Sequence, residues 1–337
     1  MMTETTSVIA QSVQPASKRE TASGRTVDRD LLTAIAVLLL LAVAPSVLSA
    51  LGHDFWVEVL LRAMILGIAA VSLNFIIGLG GLVSLGHAAF LGIGAYSVGI
   101  LADFDIDNGV IQLLVTVGVS GLFACLTGLV ALRTRGVHFI MITLAFAQMV
   151  YFTMIGLRQF GGDDGLTINY PSSFGTVVDL GDRSVLYYVV LAVLALVMLG
   201  FARIRQSDFG LLLKAAKGNE RRVRAVGFDP YRYRLAAYIA AGVICGLAGF
   251  LDANFTSFVT PESMSWTSSA ELIFMVIVGG VSTVAGPVVG ALVFLLIEEF
   301  LGGLTVYWHF WFGLFLIAVV LFAKGGLVGL ICSGRRA

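Results

Sequence analysis

Charge is scarce in this chain of 337 residues: 12% are Asp, Glu, Lys or Arg, against roughly 25% in soluble domains. So little charge cannot clothe a water-facing surface, and 58% of the residues are hydrophobic. The alternating apolar and polar pattern of a membrane barrel is also missing, which leaves helices as the only spanning element. Cysteine is rare: Cys125, Cys245 and Cys332 stand far apart, with no CxxC and no Cys/His cluster. That pattern excludes a disulfide framework, indicates no metal site, and reads as small apolar residues in packed helices. No GxxxxGK[ST] loop exists, and no Lys in the chain follows a Gly. If ATP is used, another chain must hydrolyse it. HExxH is absent too, and a net charge of zero gives no sign of nucleic acid affinity.

Long apolar runs are abundant. They occupy 31–51, 59–79, 84–102, 110–132, 137–157, 185–202, 235–254, 268–283, 285–301 and 306–322. Several reach about 20 residues, the length that crosses the hydrocarbon core as a helix. The expected fold is therefore all-α, a polytopic bundle of about ten spans. The eighth and ninth runs are short and adjoin at Gly279-Gly280 and Gly286-Pro287, so a bent helix or a re-entrant pair is an alternative there. Thirty-nine glycines suit close helix packing. They recur at helical spacing as Ala88, Gly92 and Tyr96, as Gly242, Gly246 and Gly249, and as Gly286 and Gly290.

Residues 1–30 are polar and read as a disordered tail, with 31–324 as the membrane domain and 325–337 as a second tail. A signal peptide ending near Leu48-Ser49-Ala50 competes for the N-terminus, but the run 31–51 is too long for a typical signal core. With ten crossings and the N-terminus inside, Lys18, Arg19, Arg25, Arg29, Arg133, Arg135, Lys324, Arg335 and Arg336 are cytoplasmic. Only Arg62, Arg158 and Arg183 fall outside, a strong positive-inside bias that places both termini in the cytoplasm. Every Asp and Glu maps to a loop or a span end. The longest outer loop, 158–184, holds Gly161-Gly162-Asp163-Asp164-Gly165, which supplies too few oxygens for calcium and reads as a tight turn.

The one long polar interval is 203–234, which is cytoplasmic and carries nine bases. Placed on one helix, Leu212, Ala216, Asn219, Val223 and Val226 share a face at 4-3-4-3 spacing. Lys214, Lys217, Arg221 and Arg224 fall opposite, where an acidic protein surface or anionic lipid would suit them. Within the spans, Asn74, Ser84, His87, Thr143 and Gln148 are costly in lipid and are candidates for a pathway. Interhelical hydrogen bonding is the plainer reading of each. Gly118-Val119-Ser120-Gly121 is similar to the serine motif of intramembrane rhomboid proteases, but it needs a His base, and only His138 and His309 offer themselves.

Several stretches together resemble one family, the LivM-type permease subunit of bacterial branched-chain amino acid ABC transporters. They are Ser72-Leu73-Asn74, the run from Gly80 through Ser84 and His87 to Tyr96, and Arg135-Gly136-Val137-His138-Phe139 with Thr143 and Gln148. Further on come the Gly161–Leu166 turn, Asp208-Phe209-Gly210, Asn219-Glu220, Ala225, Gly227, Gly279-Gly280 and Gly286–Gly290. The resemblance implies a non-enzymatic importer subunit in the bacterial inner membrane, without a cofactor of its own. It implies as partners a LivH-like second permease, two cytoplasmic ATP-binding subunits and a periplasmic substrate-binding protein. Leucine, isoleucine and valine are the implied cargo, with urea or short amides as the alternative. Leu212, Ala216, Asn219, Glu220, Val223 and Gly227 would then contact the ATPase. The sequence departs from the family at Lys217-Gly218, where an arginine often precedes Asn-Glu, and a glycine there weakens the helix. An ion-coupled secondary transporter is the reading from a different class; it would need a carboxylate deep in the membrane.

Overall fold

In a computed structural model the protein is described over residues 16–174, 180–304, 307–322 and 325–333. Apolar runs become helices because each must satisfy its backbone internally in lipid. They are α1 (Ala16–Ala50), α2 (Asp54–Asn74), α3 (Ala88–Asp103), α4 (Gly109–Ala131), α5 (Val137–Gly156) and α6 (Arg183–Gln206). After two short helices, α7 (Asp208–Gly218) and α8 (Glu220–Ala225), come α9 (Pro230–Thr256), α10 (Trp266–Gly279), α11 (Gly286–Leu304), α12 (Trp308–Phe322) and α13 (Gly326–Ser333). Among the described residues seven helices are long and apolar enough to cross a membrane, and three shorter apolar ones accompany them. The fold is an all-α polytopic bundle.

Two expectations, both about the chain ends, need correction, whereas the eighth and ninth runs are separate helices as counted. The backbone is helical from Ala16, so 16–30 extend the first helix in place of an irregular tail, while the stretch apolar enough to span begins at Asp30. Once 31–50 are helical, each added residue gains a hydrogen bond without a new nucleus. Residues 1–15 and 334–337 lie outside the described residues. The C-terminal stretch is likewise more than a tail, since α13 packs on α10 and α11 and buries Val328. The eighth and ninth runs form two antiparallel helices that touch along their length, not one bent helix. Gly280 at φ 122 and Ser282 at φ 70 make the reversal between them. One two-residue ribbon breaks the helical rule: Leu166 pairs with Val259 and Thr167 with Phe258, which seats the outer loop on the end of α9.

Helix α2 is the axis of the bundle. It is buried from Ala63 through Asn74 apart from Leu66, and α9, α11 and α6 pack around it. Helix α9 in turn lies against α3 and α4. Glycine lets these backbones meet. A Cβ on Gly94 would stand 2.0 Å from the Gly246 carbonyl oxygen, and one on Gly249 1.8 Å from that of Leu91. Gly290 on α11 meets the Met275 carbonyl of α10 in the same way, at 1.8 Å. The glycine stripes are thus contact lines, as small residues in membrane bundles tend to be. Ser120 belongs to the same packing, against Gly246, while His138 is exposed at the start of α5. The protease reading lacks its base.

Gly249→Ala should destabilise the protein by ~1–3 kcal/mol, because the added methyl forces α3 and α9 apart. A lowered melting midpoint in detergent checks this. Gly218→Ala, which meets nothing within 4 Å, should not lower the midpoint and should raise it slightly, since Ala is the better helix former.

Candidate functional site

The polar interval does not form one amphipathic helix. Helix α6 continues to Gln206, Ser207 caps α7 by accepting from Gly210 N at 3.4 Å, and α7 stops at Gly218. Asn219 leaves helical space at φ −157, ψ 100, and its side chain accepts from Arg222 N at 3.1 Å to start α8. The Gly-Asn pair explains the break: glycine is a poor helix former and Asn is a strong N-cap. The shared face expected for Leu212, Ala216, Asn219, Val223 and Val226 is therefore divided. Ala216 and Val223 are buried, while Leu212 is half-buried and Asn219 and Val226 face outward. Together with Ala215, Gly218 and Phe228 the outward residues line an open groove of about 630 Å³. Gly227 makes the turn beyond α8 at φ 95.

Glu220 points inward. Its carboxylate accepts from Arg135 at 2.8 Å, Arg224 at 2.7 Å and Arg234 at 3.1 Å, and only 11% of it is exposed. Arg234 also donates to the Ala216 carbonyl at 3.2 Å. Glu220 thus clamps α8 to α9 and to the α4–α5 turn.

Lys217 leaves the expected basic stripe and reaches into the bundle. Its Nζ donates to the carbonyls of Ile77 and Gly78 at 3.3 and 3.1 Å. Those carbonyls belong to the π-helical turn Phe75–Gly80 that extends α2. Asn74, fully buried, donates from Nδ2 to the Thr283 carbonyl and accepts from Ser282 N, both at 2.9 Å. Ser282 Oγ donates to Gly78 O at 3.1 Å. From there Val284 N donates to the Asp30 carboxylate at 3.3 Å, and Asp30 pairs with Arg205. Lys214 closes the circuit by donating to Arg205 O at 3.0 Å. Burial and the neighbouring Arg205 charge push the Lys214 pKa below its ordinary value. A polar latch therefore joins α7 to α1, α2, α6 and the α10–α11 turn.

The other candidates do not all gather in one place. Ser72 Oγ donates to Ala69 O at 2.6 Å and sits 2.8 Å from His87 Nε2. A hydroxyl has one proton, so His87 must carry its own on Nε2. Ser84 accepts from Gly86 N, and a Cβ on Gly86 would stand 2.2 Å from the Thr143 carbonyl, which brings Ser84, His87 and Thr143 into one buried region. Gln148 lies apart, in a polar cleft of about 490 Å³ with Tyr151, Asp163 and Glu262. Lys217, Ser282, Asp30 and Arg205 escaped the sequence reading. Lys217 was counted with the exposed bases by helical spacing, and the other three looked like loop or terminal residues.

The comparisons agree with this architecture. Residues 55–324 match the family described as branched-chain amino acid transport system / permease component. The chain is 26% identical over 329 residues to the high-affinity branched-chain amino acid transport system permease protein LivM of Salmonella typhimurium, covering 90% of this chain and 76% of the relative. LivM of Escherichia coli matches at 26% over 332 residues, with the same coverage. The L-arabinose ABC transporter permease protein AraH of Azospirillum brasilense matches at 27% over 281 residues, covering 78% of each chain. No solved structure matches. These relatives are transport permeases and not enzymes. A buried α2 axis, glycine contact lines and a polar end-latch are thus carried by a multi-pass membrane protein that belongs to the LivM-type branched-chain amino acid ABC permease family.

Proposed function

We propose that the chain is one of two non-identical membrane subunits of a bacterial importer, carrying branched-chain amino acids into the cytoplasm. On this reading it crosses the inner membrane ten times, with both termini and the 203–234 segment cytoplasmic and the 158–184 loop periplasmic. Two partner subunits hydrolyse ATP, and a periplasmic binding protein delivers the substrate. The single observation that carries the coupling role is the placement of α7. Its outer side offers the groove of Leu212, Asn219 and Val226, and its inner side is latched through Lys217 to the end of α2. A displacement of an ATPase docked in the groove would reach Asn74 and the α10–α11 turn through direct hydrogen bonds. Ala216, Glu220 and Val223 support the groove from within, and Gly227 sets the turn behind it.

The cargo reading rests on the names of the LivM relatives, while the AraH relative is named for a sugar. Uptake of labelled leucine, isoleucine and valine into cells with and without the chain, beside urea and L-arabinose, decides between them. Uptake that survives loss of the ATPase partners but stops with a proton uncoupler would instead favour an ion-coupled transporter.

Asn219→Cys should crosslink to an ATPase subunit in membranes; labelling of that cysteine by lipid-phase probes alone would overturn the docking. Lys217→Met keeps the stem but deletes the donor to Ile77 and Gly78. Transport should fall about tenfold with ATPase binding retained, since a charged hydrogen bond contributes ~1.5 kcal/mol to the coupling. Unchanged uptake in that variant would show that the latch does not carry the motion.

A further inference from the structure

Four helices bring ionisable side chains to one layer in the half of the bundle away from the latch. Arg62 stands eight residues into α2, about 12 Å along its axis at a rise of ~1.5 Å per residue. Glu271 is five residues into α10, Glu298 six residues before the end of α11, and Asp252 four before the end of α9. Those positions lie about 6–9 Å inside the same end of the bundle. Asn74 and Ser282 sit at the opposite ends of these helices, which fixes the side. The Arg62 guanidinium is 3.9 Å from the Glu298 carboxylate, and its charge also acts on Glu271 and Asp252. At the rim, Glu299 and His309 adjoin Glu298.

The chain covers Asp252 and Glu271 in part but leaves the outward edge of the layer open. Arg62 is 52% exposed and Glu298 26%. Other outward positions in the spans carry what lipid tolerates: Leu114, Leu122 and Leu126 on α4, Leu196 and Leu199 on α6, Leu314 and Ile317 on α12. A half-exposed guanidinium beside carboxyl groups is expensive against hydrocarbon, and charged residues at such depth face protein or water. The outward edge of the layer has two carboxyl groups, Glu298 and the exposed Glu299, for one guanidinium, so its complement is a cation.

We propose that the α2–α10–α11 face around Arg62 and Glu298 is covered by a second membrane-embedded permease chain, which brings a lysine or arginine to the depth of Arg62. The inference rests on the two-permease reading above and names the seam and its charge. Copurification of a second permease with the tagged wild-type chain tests that reading separately.

For the seam itself, Glu298→Cys and Glu299→Cys are made in a chain whose three native cysteines are serines; the second variant keeps the Arg62–Glu298 pair. Both thiols should react with a water-soluble maleimide in the detergent-solubilised chain alone. In the assembled transporter they should be protected at least tenfold. Leu122→Cys, labelled with bimane, should instead be quenched by brominated lipid. If a second permease copurifies and the 298 and 299 thiols react equally fast in the complex, the face is water-lined and the inference falls. Quenching of bimane at 298 or 299 by brominated lipid in the reconstituted complex would overturn it equally. If no permease copurifies, the two-permease reading is what fails.

Discussion

A helix that ends inside a membrane protein leaves carbonyls that lipid cannot satisfy, and the arrangement at the end of α2 follows from that constraint. At the π-helical turn Phe75–Gly80 the Ile77 oxygen accepts from Gly81 N at 3.1 Å, and both it and the Gly78 oxygen take a further donor from outside the helix. One is met by Lys217 from α7, the other by Lys217 together with the Ser282 hydroxyl from the α10–α11 turn. Asn74, one residue before the turn, fixes the Ser282 and Thr283 backbone from the same side. The deepest helix of the bundle is thereby wired to the peripheral segment through groups that would be costly to leave unpaired. Removing Lys217 leaves the Ile77 oxygen with Gly81 N and the Gly78 oxygen with Ser282, so what is lost is the link to α7.

The glycine contacts give this wiring a rigid frame. Where Gly94, Gly246 and Gly249 bring α3 and α9 into backbone contact, no side chain is interposed that could yield. The buried Ser72–His87 contact and the Ala88 N–Ser269 hydrogen bond sit at the mouth of α3, between α2 and α10. Of the polar residues singled out as pathway candidates, Asn74 ends α2, Ser84 and His87 lie just before α3, and Thr143 and Gln148 are on α5. Asn74 and His87 make contacts between elements, whereas Ser84 and Thr143 bond within their own stretches, to Gly86 N and Ile140 O.

Much of the frame was legible in the sequence because helix existence depends on local hydropathy. Each of the ten apolar runs found its helix, and the glycine stripes identified contact lines correctly. The polar segment 203–234 was less legible. Spacing alone put Asn219 on a continuous apolar face, whereas its capping chemistry ends one helix and begins the next. Lys217 was misplaced for a related reason: periodicity assigns a side to a helix but cannot see a partner 139 residues away, such as Gly78. Nor could spacing show that Glu220 has three arginine partners, from three separate stretches. Long-range polar contacts leave no periodic trace.

The break at Asn219 divides the segment into two pieces with separate moorings. Helix α7 is moored to α2 by Lys217, and α8 is moored to α9 and the α4–α5 turn by Glu220. A single continuous rod would deliver one push to one place. A jointed pair resolves a load applied in the groove into two components, one for the inner helix and one for the outer wall. The angle at the joint, set by a single asparagine, would govern how the load is shared.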